Sequence, residues 1–109
     1  MITAGFFTDS DGRITGFKIS GHSGYKEAGS DIVCASVSSA VMLSVNTMSE
    51  QFGLELETAV PGDGELVCIA YPSSLNRDWD RLAYSLYAHL TELEKEFSEN
   101  LKVVFLSEC

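Results

Sequence analysis

Valine recurs at positions 33, 37, 41 and 45, a four-residue step that a helix turns into one continuous apolar stripe. Several of these residues are β-branched and lose rotamer freedom in a helix, so packing must hold the segment more than propensity does. Met48 and Phe52 extend the stripe. Ser30 is suited to cap the helix, because its hydroxyl accepts from a free amide one turn inside. Asp31 places a negative charge in the first turn, at the positive end of the macrodipole. The pattern predicts a helix over residues 31–51 that ends before Gly53.

The remaining segments must supply the surface that receives this helix. Residues 2–8 are rich in Ile, Thr and Phe, and the turn Asp9-Ser10-Asp11-Gly12 joins them to an alternating run over 13–20. That is a hairpin. Residues 54–57 alternate like a short strand, and Pro61-Gly62-Asp63-Gly64 turns into a strand over 65–71 that is apolar on both faces from Leu66 onward. Such a strand is expected in the middle of a sheet, covered on each side. A second helix is predicted over 76–99, with Trp79, Leu82, Leu86, Leu90, Leu93 and Phe97 at three- and four-residue steps. Residues 101–106 close the chain as a fifth strand. The order ββαββαβ makes an α/β (α+β) domain, two helices packed on a mixed five-stranded sheet, with residues 1–109 forming one unit.

Sixteen acidic residues against seven basic ones give a net charge of −9. Phosphate backbones are held by Lys and Arg, so direct binding of nucleic acid is not expected. The same field would attract a basic polypeptide, although acidity also serves solubility alone. The apolar stretches fall short of the roughly 20 residues a spanning helix needs, and the N-terminus lacks the basic and apolar parts of an export signal. No membrane contact is expected, and a cytoplasmic location is. The three cysteines, Cys34, Cys68 and Cys109, are odd in number and widely spaced, which argues for reduced thiols. No Cys-x-x-Cys pair or phosphate loop is present, so neither metal nor cofactor is expected.

One thiol stands in a chemically useful place. Cys34 falls in the first turn of the predicted helix, where unpaired amides favour a thiolate and can face a developing oxyanion. His22 lies at the end of the second strand, across a glycine-bearing loop that can return its imidazole to the thiol as general base. Asp31 and Ser38, three residues before and four after Cys34, share its helical stripe. Asp31 would raise the thiol pKa if it faced the sulfur, so it serves better by orienting His22; simple charge capping of the helix is the alternative. Ser38 either hydrogen-bonds the thiolate or substrate, or is a small packing residue. Both pairs of readings stay open on spacing alone. Cys68, between Val67 and Ile69, reads as core; Cys109 reads as exposed; His89 shares a helical face with Asp78, Ser85, Glu92 and Glu96 and reads as a solvated surface histidine.

The run Gly21-His22-Ser23-Gly24-Tyr25-Lys26-Glu27-Ala28-Gly29-Ser30-Asp31-Ile32-Val33-Cys34-Ala35-Ser36-Val37-Ser38 closely resembles the signature of the ribosomal-processing cysteine protease Prp family. The resemblance extends over the whole chain in length and element order. Ser23 and Ser36 stand where alanine is more usual, and both are small. The resemblance implies a catalytic pair at His22 and Cys34, with Gly21, Asp31 and Ser38 as further site positions. It also implies a homodimer that trims a short N-terminal extension, after a phenylalanine, from large-subunit ribosomal protein twenty-seven. A basic ribosomal protein as substrate suits the negative charge of this chain. The rival reading is a non-enzymatic ribosome-assembly module that binds such a protein; iodoacetamide would silence a protease and spare a binding module. A redox-sensing thiol protein lacks a resolving cysteine near Cys34 in sequence. The connecting residues 23–29 are expected to be mobile and to close His22 onto Cys34 only when substrate binds.

Overall fold

The structure is a computed structural model that describes residues 1–21, 28–62 and 64–107, with residues 28–31 described by their backbone alone. Strand β1 (Ile2–Thr8) turns back into β2 (Ile14–Ser20). The turn is built as its residues require. Asp9 Oδ1 accepts from the amides of Asp11 at 2.9 Å and Arg13 at 3.0 Å, and Gly12 takes a φ of 83°. Helix α1 (Ala28–Asn46) follows, with one wider helical turn over Thr47–Gln51. Strands β3 (Leu56–Ala59) and β4 (Leu66–Ala70), helix α2 (Arg77–Glu96) and strand β5 (Leu101–Ser107) complete the chain.

The five strands lie in the order β3-β4-β2-β1-β5, with β1 and β5 parallel and every other pair antiparallel. Two helices on a mixed five-stranded sheet is the architecture expected. The register stacks Phe6 opposite Phe17 and Phe17 opposite Cys68, so one face of the sheet carries a continuous apolar row. Both helices settle on that face. Val33, Val37 and Val41 from α1 and Trp79, Leu86 and Leu90 from α2 are buried with it. The Trp79 ring stacks on Phe17 at 6.5 Å between centroids, and its indole nitrogen donates to the Ile14 carbonyl at 2.8 Å. Asn76 caps α2, its side-chain oxygen accepting from the Trp79 amide at 3.0 Å, so one cap fixes both the start of the helix and the residue that anchors it.

Five expectations are corrected. Helix α1 starts at Ala28 instead of Asp31, so Ser30 lies inside it and is not its cap. Phe52 falls beyond the helical turns and is exposed, leaving the stripe to the valines and Met48. The third strand begins two residues later than its alternation suggested, and β4 is interior but not covered on both faces: Val67 and Ile69 are only half-buried, while β2 takes the centre. The segment Ile32–Gln51 is also long and apolar enough by composition to cross a bilayer. Its valines are apolar because they enter the core, while Ile32, Met42 and Leu43 on its outer side remain exposed.

The two sheet edges differ. Strand β3 is short and largely exposed. On β5 the first two outward amides have partners: Leu101 donates to the Phe97 carbonyl at 3.0 Å and Val103 to Glu94 Oε2 at 2.9 Å.

Candidate active site

Cys34 sits half-buried on the side of α1 that turns from the core toward solvent. Because α1 starts at Ala28, the thiol belongs to the second helical turn and not to the first. The free amides of the helix start therefore lie a turn away, and the dipole effect is confined to the terminal turn. Helix-end activation, the reason the spacing first offered for this cysteine, does not apply to it.

A cavity of about 260 Å³ opens beside Cys34. Ile2, Ile19 and Leu66 from the sheet and Val37 and Val41 from α1 line it with hydrocarbon. The stripe Cys34, Ser38 and Met42 forms its helical side, and Gly21, Gly64 and Glu65 form the opposite rim, at the end of β2 and the entry to β4. Ser38 is exposed there, so its reading as a packing residue fails and its hydroxyl is available to a ligand. Gly21 has a φ of 84°, and a Cβ on it would collide with the Met1 carbonyl oxygen. Glycine at this point lets β1 and β2 close together just before the chain enters residue 22.

Of the five expected site residues, the structure thus brings Gly21, Cys34 and Ser38 to one cavity. His22 lies outside the described residues, as does the loop expected to be mobile. Asp31 belongs to α1, and the orienting role expected of its carboxylate likewise falls outside them. Sequence reasoning missed the cavity walls, because Ile2, Ile19 and Leu66 come from three separate strands and read locally as ordinary core. Met42 alone carried a signal: it is an apolar helical residue off the valine stripe, eight positions after Cys34.

The family model for cysteine protease Prp matches residues 1–102. The chain belongs to the Prp family. A Bacillus subtilis (strain 168) protein named ribosomal processing cysteine protease Prp is 30% identical over 107 residues, covering 94% of this chain and 96% of its own. A Staphylococcus aureus protein of the same name is 25% identical over 103 residues, again covering 94% of this chain and 97% of its own. The crystal structure of the essential ribosomal processing protease Prp from S. aureus in complex with a substrate peptide superposes with a TM-score of 0.87 at 23% identity. It covers 97% of this chain and 100% of that one, and shows the same fold. Membership in the Prp family makes the chain a cysteine protease, as the thiol reading required.

The other described thiol is chemically quiet. Cys68 is fully buried in β4, and burial pushes its thiol from 9.0 up to about 12. Below pH 9 it stays protonated in both folded and unfolded chains. Between about pH 9 and 12 the unfolded thiol ionises first, so the folded state loses this contribution as the pH rises. Iodoacetamide at pH 8 is expected to label Cys34 in the native protein and leave Cys68 unmodified until the chain is unfolded. Cys68→Ala should flatten the loss of stability above pH 9, as read by denaturant melts across that range. Native labelling of Cys68 as fast as Cys34 would contradict its burial.

Proposed function

We propose that this chain is a cytoplasmic, homodimeric endopeptidase that removes a short N-terminal extension from large-subunit ribosomal protein twenty-seven, cutting after phenylalanine. The observation that carries the reading is the apolar cavity beside the Cys34 sulfur. A dry cavity of about 150 Å³ suffices to bind benzene, so the larger space here accepts a phenylalanine ring next to the nucleophile. The relatives named for ribosomal processing, and the S. aureus structure with its substrate peptide, support the substrate class.

In this mechanism the Cys34 thiolate attacks the phenylalanine carbonyl while that side chain enters the cavity at its Cys34 end. His22 takes the thiol proton and passes it to the leaving amine, then activates the water that hydrolyses the thioester. Ser38, exposed on the same side of α1, is placed to hydrogen-bond the substrate backbone. Net charge of −9 favours encounter with a basic precursor and disfavours nucleic acid.

Incubation with the full-length precursor should yield a product whose mass reports one cut after phenylalanine. An unchanged precursor mass, with Cys34 reduced and alkylatable, would defeat the assignment of this substrate. The dimer is supported by the half-exposed apolar side chains of Val67, Ile69 and Leu106 on the sheet face that bears no helix. Sedimentation at micromolar concentration should give twice the chain mass; a monomer throughout would exclude it.

A further inference from the structure

The helical side of the cavity is a line of three residues, Cys34, Ser38 and Met42. The step from Cys34 to Met42 is eight residues, about 12 Å of axis at about 1.5 Å per residue. An extended peptide advances about 3.3 Å per residue, so a chain held with its scissile carbonyl at Cys34 and running along the cavity meets Met42 three or four residues away. Met42 differs from the other apolar residues of that cavity. It is 62% exposed, whereas Val37 and Val41 are 1% and 2% exposed, so it contributes nothing comparable to the core. Long, unbranched and polarisable, methionine adapts to the shape of what it covers.

Single exposed apolar residues are ordinary on protein surfaces and need no role. Leu43, the next residue, is 70% exposed and does not line this cavity. Both are shed of structural duty, but of the two only Met42 lines the cavity beside Cys34. We propose that Met42 is a specificity-determining residue, forming a subsite for an apolar side chain three or four residues from the scissile bond. The inference rests on the peptidase reading above, but not on which ribosomal protein supplies the chain. A charged or small residue at that distance leaves the methionine hydrated; an apolar one removes both surfaces from water.

The test uses peptides spanning the precursor cleavage sequence, with alanine substituted singly at the four positions on each side of the scissile bond. Met42→Ala should raise KM roughly tenfold with kcat within about twofold, the size expected of lost apolar contact in a subsite. Met42→Lys should do at least as much, Met42→Leu should restore most of the loss, and Leu43→Ala should match wild type. At one position three or four residues from the cut, alanine should cost the wild type roughly tenfold and cost Met42→Ala almost nothing, because the interaction is already gone. Equal losses for wild type and Met42→Ala at every position, or a Met42 effect confined to kcat, would overturn the proposal. Binding of the same peptides to Cys34→Ser protein reads the subsite without turnover. Peptide binding that depends on Met42 in a protein that cuts nothing would uphold the subsite and defeat only the processing role. Binding indifferent to Met42 would defeat the subsite even if the precursor is cut.

Discussion

Cys34→Ala is expected to lower precursor cleavage by on the order of 10⁴-fold or more, to background, because the nucleophile and its base act as one unit. His22→Ala should fall nearly as far for the same reason. The fold should survive the cysteine change. Cys34 is half-buried and packs at the edge of the core, so losing its sulfur should cost about 1 kcal/mol or less. Product mass after overnight incubation, alongside a thermal melt, separates lost chemistry from lost structure. Precursor processed by either variant at a rate near that of wild type would remove the dyad from the mechanism.

Gly21→Ala is expected to be the most damaging alanine substitution among the described glycines. An L-residue at a φ of 84° carries a strain of roughly 1–2 kcal/mol, and the added Cβ must also displace the Met1 carbonyl. Together these should lower stability by about 2–3 kcal/mol and Tm by on the order of 10 °C. The site is affected as well, since Gly21 lines the cavity. Activity should therefore stay well below wild type even at temperatures where the variant remains folded. An alanine variant with wild-type Tm and turnover would show that neither the left-handed turn nor the close carbonyl matters.

Legibility in the sequence followed the range of the signals. Periodicity reports which face of an element is apolar, so the Val33–Val37–Val41 stripe, the Trp79–Leu86–Leu90 stripe and the hairpin turn at Asp9 and Gly12 were all readable. Strand order was not, because Phe17 and Cys68 pair across a separation of 51 positions that no local pattern encodes. The start of α1 was misread for a physical reason: Gly29 and Ser30 carry strong end signals, while burial of Val33 and Val37 holds the helix together through them to Ala28. The site was legible as chemistry, through Cys34 and the glycine at 21, but not as a space. A cavity is made of whatever elements fail to touch, and that is known only once they are placed.

The carboxylate that Glu94 of α2 extends to the edge of β5 bears on how such an enzyme lives with its substrates. A protein that handles extended chains exposes itself to a hazard, since any strand edge can serve as a template on which such a chain anneals. Along β5 the amides that point away from β1 are those of alternate residues from Leu101, and the first two are already occupied, by the Phe97 carbonyl and by Glu94. An incoming peptide would find a ladder with its lower rungs removed and a negative charge beside the gap. Captured chains are thus steered away from unproductive docking at this margin, and the sheet can present its cavity to a polypeptide without being lengthened along β5.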